Sequence, residues 1–303
     1  MKNDIRIGID LGGSKTELIA LEQHGAELMR NRRPTPAGDY PATVKLVADM
    51  VLQAEAELNS VASIGIGTPG AVSLKTGRMK NCNSTCLNGQ TLKQDIETLL
   101  HREVRLSNDA NCFALSEALS GAAQGAQVVF GVILGTGVGG GLVVSGQLID
   151  GANHIAGEWG HNPLPALSAS DLPGPACYCG RQGCIETWLS GPAMSATHHC
   201  ATGHKLHAEA IAKAAESGDV VCMHTLEKYC QRLAPALATI INMIDPDVIV
   251  LGGGLSNITT LYERVPTLWQ QYIFSDEVRT RLVPPKHGDS SGVYGAAWLW
   301  GKE

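Results

Sequence analysis

Nothing in the sequence approaches the roughly 18 uninterrupted apolar residues of a membrane-spanning helix, so an integral helical membrane protein is not expected. The first residues, MKNDIRIGID, hold no apolar core of signal-peptide length, and a cytoplasmic protein is expected. There is no run of like charges and no low-complexity tract, and the net charge is −6. That balance argues against a non-specific binder of nucleic acid or of an anionic membrane. What is present is globular: 44% hydrophobic and 17% charged residues over 303 positions, enough for two ordinary domains. Glycine is plentiful, and much of it falls in short clusters rather than linkers. The nine cysteines are an odd number, and in a reducing compartment thiols favour metals or burial over disulfides.

Two stretches use the same device. IRIGID (5–10) is a strand-like run, LGGSK a glycine turn, and TELIALE resumes β-type sequence. VVFGVIL (128–134) leads into GTGVGGG and then LVVSGQLI. Each reads as a hairpin with an unusually glycine-rich tip. SIGIGTPG (63–70) and DVIVLGGGLS (247–256) are buried-strand runs ending in glycines, and each follows a helix-like segment. The chain therefore reads as α/β with two halves of parallel strands, each opening on a glycine hairpin. The expected division is 1–121 and 122–288, with the apolar helix candidate at 289–303 packing back on the first half.

Backbone N–H groups can surround a phosphate only where no Cβ blocks the approach. The first turn offers Gly12 and Gly13 for that, with Asp10 to orient Mg²⁺ and Ser14, Lys15 or Thr16 to reach phosphoryl oxygens. It is not a P-loop, which needs lysine directly after the second glycine, where Ser14 intervenes. A plain hairpin with a permissive turn is the bland alternative. The second turn, with Gly135, Thr136, Gly137, Gly139 and Gly140, spells the dinucleotide fingerprint. The β-branched continuation disfavours the helix that fingerprint requires. With Gly252, Gly253 and Gly254 after a buried strand, the two turns describe a nucleotide held between two lobes.

EVRLSNDANCFALSEAL (103–119) reads as a strand, a Ser-Asn-Asp turn and a helix. Asn108 and Asp109 are common helix-capping residues, which is one complete explanation of them. The other makes Asp109 a general base and Asn108 a hydrogen-bonding partner of a polyhydroxyl substrate. A sugar hydroxyl attacking a phosphoryl group needs a carboxylate to accept its proton.

CYCGRQGC (177–184) places Cys177, Cys179 and Cys184 close together, downstream of His161. These four form a Cys₃His set that closes a tetrahedral, structural zinc site; three independent thiols are the alternative. Metal binding there would fix Glu158 and Glu186, a carboxylate pair suited to adjacent sugar hydroxyls. The other six cysteines lack metal-like spacing, and His198 and His199 are expected on a solvated helix face.

DLGGSKT, LSNDAN, LGTGVGGG, GEWGH and CYCGRQGCIET, in this order, resemble the ROK family of sugar kinases and repressors over essentially the whole chain. NCNSTCLNGQ, AGEWGHNPLP and KHGDSSGVYGAAWLW are most similar to its bacterial fructokinase/mannokinase members, with N-acetylglucosamine kinase a near relative. The resemblance implies a two-lobed actin/hexokinase-like fold, a duplicated ribonuclease H-like unit with an inter-lobe active-site cleft. It puts the base on Asp109 and the sugar contacts on Asn83, Asn108, Glu158, His161 and Glu186, His161 serving metal and hydroxyl through its two ring nitrogens. It puts nucleotide contacts on Asp10, Gly12 to Thr16, Gly135 to Gly141 and Gly252 to Gly254, and implies homodimers. Family repressors carry a helix-turn-helix before the first hairpin; here that hairpin begins by residue 10, which disfavours repression. Ser14 stands where threonine is commoner, and Cys86 where close relatives often carry an aromatic. The expected activity is ATP- and Mg²⁺-dependent phosphorylation of a hexose 6-hydroxyl, of fructose first and mannose second. The alternatives are an N-acetylglucosamine kinase or glucokinase, and a non-catalytic sugar sensor.

Overall fold

Runs of Val, Ile and Leu punctuated by glycine build two sheets, each opening on a hairpin. The computed structural model describes residues 5–301, so residues 1–4 and 302–303 of the expected terminal segments lie outside the described residues. The chain divides into two compact units, one of 1–124, 146–156 and 289–303, the other of 125–145 and 157–288. The stretches 122–124 and 146–156, expected in the second half, thus belong to the first. The chain re-enters unit one after the second hairpin, and local sequence pattern carries no trace of that return.

In unit one, β1 (Ile5–Leu11) pairs antiparallel with β2 (Lys15–Glu22), from Ile5↔Glu22 to Leu11↔Thr16. β3 (Glu27–Pro34) extends the edge, while β4 (Ser63–Thr68) and β5 (Arg105–Asn108) lie parallel to β1, giving the order β3-β2-β1-β4-β5. The crossover α1 (Tyr40–Leu58) starts at Asp39, whose carboxylate accepts from the Ala42 N–H, and stops at Asn59 in the left-handed region. Its apolar stripe, with Val44, Val47 and Val51, packs with Ile7, Ile9, Ile64 and Ile66 in one core. Between β4 and β5 runs α2 (Leu92–Leu100), and β5 feeds α3 (Asp109–Leu119).

At the other end of unit one, Gly8 and Gly65 sit opposite one another in β1 and β4. A Cβ on Gly8 would lie 2.2 Å from the Val293 carbonyl oxygen, and one on Gly65 1.8 Å from that of Ala296. Two bare strand positions therefore let a C-terminal helix, Ser291–Ala297, lie with its backbone almost on the sheet.

In unit two, β6 (Val128–Leu134) pairs antiparallel with β7 (Val138–Val144), while β8 (Val248–Gly252) and β9 (Arg281–Val283) extend the sheet in parallel. Its longer helices are α4 (Gly191–Thr202), α5 (Ala208–Glu216), α6 (Val220–Ile244) and α7 (Thr260–Trp269), a single helical turn at Glu186–Leu189 precedes α4, and the unit-one helix at Ser291–Ala297 becomes α8. A second core holds Phe130, Val132, Ile249, Leu251, Leu233 and Trp269. His198 is 3% exposed, with Nδ1 2.9 Å from the Thr225 hydroxyl, so the expected solvated face is corrected. Thr225 in turn donates to the Val221 carbonyl, which leaves its oxygen free to accept from His198. Among the described residues no helix is long and apolar enough to cross a membrane.

Candidate active site

The first glycine turn closes with the Gly12 N–H donating to the Lys15 carbonyl at 3.0 Å. Thr35, just past β3, grips it three ways: its hydroxyl donates to the Gly12 carbonyl, its N–H donates to the Ser14 carbonyl, and its Oγ1 lies 2.8 Å from Thr16 Oγ1. A trans peptide points its C=O and N–H in opposite directions. With the Gly12 and Ser14 carbonyls drawn toward Thr35, the N–H groups of Gly13 and Lys15 face the other way, out of the turn. Gly13, Ser14 and Lys15 are exposed, whereas Thr16 is fully buried with its hydroxyl turned to Thr35. Thr16 supports the turn from beneath and is not presented to a phosphoryl oxygen, a correction to the expectation. Thr35 itself gave no local signal, because its partners are 19 and 23 residues away.

Asp10, one residue before the end of β1, carries a carboxyl pushed up to about 6, first by burial and then by the charges of Asp109 and Glu17. Glu17 faces it in register across the hairpin and is itself held by Arg30 at 2.8 Å and Arg32 at 2.7 Å. Gly292 in α8 belongs to this site without a sequence signal: a Cβ there would lie 3.4 Å from the Asp10 carboxylate. Asp109 is the first residue of α3, and Asn108 is the cap, its Oδ1 accepting from Asn111 N–H at 2.7 Å. Capping thus uses the Asn108 oxygen and leaves its amide NH₂ for a ligand. The Asp109 carboxylate is solvent-accessible, yet surrounding protein raises it above the usual range, against the Ala110 N–H at 2.8 Å. A buried carboxylate whose proton affinity is raised further by neighbouring acidic charges, as Asp10 is, suits a divalent cation, which relieves that repulsion. Asn83 is exposed and lines a cavity of about 240 Å³ with Gly12, Gly13, Thr35 and the half-buried Cys86.

The second turn is shorter than its spelling. Only Gly135 to Gly137 turn, with Gly135 N–H donating to the Gly137 carbonyl at 3.0 Å, while Gly139 and Gly140 lie inside β7. A Cβ on Gly140 would sit 2.9 Å from both the Gly157 carbonyl and the Trp159 ring, and the Gly139 carbonyl accepts from Trp159 Nε1. Gly140 admits the close passage of the 157–159 backbone, and both glycines lie in the strand and not in the turn, so their expected place in a phosphate cradle is corrected. Gly252 ends β8, Gly253 has φ +77, and Gly254 faces open space. Gly254, Gly135 and Thr136 line a cavity of about 1030 Å³ with Ser195, His207 and Lys213.

In the same unit, His161, Cys177, Cys179 and Cys184 present ligand atoms all within 4.8 Å of one another. Cys179 and Cys184 sulfurs are 3.6 Å apart, and Cys177 Sγ is 3.5 Å from His161 Nδ1. A tetrahedron with Zn–S bonds of about 2.3 Å has edges of about 3.8 Å, so the donor set fits zinc. Arg181 holds the Cys179 thiol down to about 6, while burial pushes Cys184 up to about 12. His161 Nε2, expected to meet a sugar hydroxyl, lies 2.9 Å from the Tyr178 hydroxyl, a partner the sequence did not reveal. Glu158 is exposed before the Trp159–His161 turn, and Glu186 Oε2 accepts the Val138 N–H at 3.0 Å.

The sequence model of the ROK family matches residues 6–303. The chain belongs to the ROK family. An N-acetyl-D-glucosamine kinase from Yersinia pseudotuberculosis is 37% identical over 296 residues, spanning 96% of this chain and 97% of its own. The crystal structure of a ROK hexokinase from Thermus thermophilus has TM-score 0.87 at 28% identity and covers 97% of each chain. A ROK glucokinase from Streptomyces griseus, in complex with glucose and AMPPNP, has TM-score 0.75 at 27% identity, covering 97% of this chain and 98% of its own. The ROK fold of this chain is accordingly the actin-like sugar-kinase fold of those neighbours.

Proposed function

We propose that this ROK protein is an ATP-dependent hexose kinase acting on the sugar 6-hydroxyl. The observation that carries the reading is Asp109, solvent-accessible at the C-terminal end of β5, with its carboxyl raised and Asp10 beside it above an open glycine turn. Asp109 accepts the hydroxyl proton as the sugar oxygen bonds to the γ-phosphorus and the bond to the β-phosphate oxygen breaks, releasing ADP. A Mg²⁺ ion held through Asp10 would neutralise charge on the phosphates. Asn83, the Asn108 amide, Glu158 and Glu186 orient the sugar, His161 joins the three cysteines in a structural zinc site, and the turns at Gly12 to Lys15 and Gly135 to Gly137, with Gly254, hold the nucleotide.

The relatives move the sugar assignment. The expected fructokinase gives way to its alternative, N-acetylglucosamine kinase, because the relatives 37% identical over nearly the whole chain carry that name. Fructose and mannose stay as a second reading, on the segments NCNSTCLNGQ and KHGDSSGVYGAAWLW. ADP release measured over N-acetylglucosamine, glucose, fructose and mannose decides. The highest kcat/KM on N-acetylglucosamine supports the first reading, and on fructose or mannose the second. ADP release with none of the four overturns the kinase.

A further inference from the structure

Glu186 does something in unit two that neither a sugar contact nor a metal scaffold requires. Its Oε2 accepts the Val138 N–H at 3.0 Å, at the exit of the second glycine turn. Five residues on, the Gly191 N–H donates to the Gly135 carbonyl at 2.8 Å, at the entry of the same turn. By peptide planarity, the bond to the Gly135 carbonyl points the Thr136 N–H the opposite way. The bond to Val138 N–H likewise points the Gly137 carbonyl inward, where it accepts from Gly135. Gly137 is bare for this contact, since a Cβ there would lie 2.6 Å from Glu186 Oε2. The segment 186–191 therefore spans the turn and fixes both of its ends.

The other end of that segment is the Cys₃His cluster. Cys184, 1% exposed, pairs backbone to backbone with Pro163 in an isolated antiparallel β-bridge, and the Ile185 N–H donates to the Asn162 carbonyl at 2.8 Å. One residue, Ile185, separates a metal-ligand position from the carboxylate that holds the turn.

We infer that Glu186 is a positioning residue for the phosphate-binding turn, and that the Cys₃His cluster sets nucleotide affinity through the short link Cys184-Ile185-Glu186. The inference rests on the kinase reading but concerns the nucleotide in the absence of sugar, where a sugar-contact role for Glu186 is silent.

The test is calorimetric titration with AMPPNP and Mg²⁺ without sugar, on parent, Glu186→Ala and Glu186→Gln, each as purified and after chelation of its metal. Loss of a charge-assisted hydrogen bond predicts about tenfold weaker binding for alanine. Glutamine keeps an acceptor oxygen and stays within about threefold. Chelation weakens the parent by about the same tenfold and the alanine variant by much less, because the link is already cut. If the alanine variant does not fold, Glu186→Asp, one methylene too short to reach, is expected to show the same loss. Parent-like affinity in the variant that folds, or an equal chelation effect in parent and variant, overturns the inference alone. A parent that binds no AMPPNP overturns the kinase reading and the inference together.

Discussion

The two glycine turns of this chain perform the same backbone manoeuvre by different means. The first, Gly12 to Lys15, is gripped by one threonine just past the edge strand of its own sheet, Thr35, with Thr16 beneath it. The second, Gly135 to Val138, is gripped from outside its sheet by Glu186 and Gly191, on a segment leading back to the cysteine cluster. The first has a pair of acidic neighbours, Asp10 with Asp109 close enough to raise its proton affinity, whereas the carboxylate at the second, Glu186, accepts the Val138 N–H. The two hairpins thus share a shape and differ in what stabilises it. One turn is coupled to proton and cation chemistry, the other to a prospective metal.

The largest effect should come from separating chemistry from grip. Asp109→Asn removes the base and leaves both turns intact, so kcat should fall by about 10²–10⁴ or more. Sugar and AMPPNP affinities, measured by titration, should change by less than about threefold. An unchanged kcat would move the chemistry away from the first turn and dissolve the contrast.

Metal content comes next. Purified protein should contain about one zinc per chain by elemental analysis, and Cys184→Ser should lose it. A buried ligand of a structural site contributes folding free energy directly. The melting temperature should therefore drop by several degrees, about 2–4 °C for each kcal/mol in a chain of this size. Thr35 variants should keep their zinc, since the partners of Thr35 are Gly12, Ser14 and Thr16 and not a ligand of the cluster. Zinc-free native protein with an unshifted melting temperature would make the three cysteines independent thiols.

Asp10 gives a smaller effect with a defined sign. Its folded carboxyl titrates near 6, above the unfolded value of 3.8, so ionisation works against the fold. The cost is absent below pH 3.8, grows between pH 3.8 and 6, and is complete above 6. Asp10→Asn should accordingly stabilise Mg²⁺-free protein by about 1–3 kcal/mol at pH 7 and have little effect at pH 4. The same substitution should weaken Mg²⁺-dependent turnover. Melting curves across pH with EDTA check the first part; a difference that does not vary with pH would contradict the electrostatic origin.

What was legible in the sequence follows the range of the interactions. Strands and hairpins showed because apolar runs between glycines are local, and the cluster showed because three of its ligands fall within eight residues. Glycine composition alone misled at Gly139 and Gly140. A glycine bare for a ligand and a glycine bare for a crossing backbone look identical until Gly157 and Trp159 are seen lying on Gly140, with Gly139 beside it in the strand. His198 was misplaced because the hydroxyl that satisfies it lies 27 residues on, in another helix. Thr35, Tyr178 and Gly292 were missed for the same reason: each acts through a partner that tertiary structure alone supplies.

The finest test of the comparison is the least dramatic. Thr35→Val keeps the β-branched shape and the backbone N–H that binds Ser14, and deletes only the hydroxyl shared by Gly12 and Thr16. One neutral hydrogen bond is worth about 0.5–1.5 kcal/mol. If its work is to aim the Gly13 N–H, KM for ATP should rise about 2- to 12-fold, with KM for sugar and zinc content unchanged. A valine that merely loosened the fold would instead lower the melting temperature and disturb both substrates alike. Thr35→Ser restores the hydroxyl and should restore KM for ATP, because the acceptor geometry and not the methyl group is what the turn needs. If serine fails to rescue while valine is silent, the first turn holds itself, and the two hairpins differ less than their hydrogen bonds indicate.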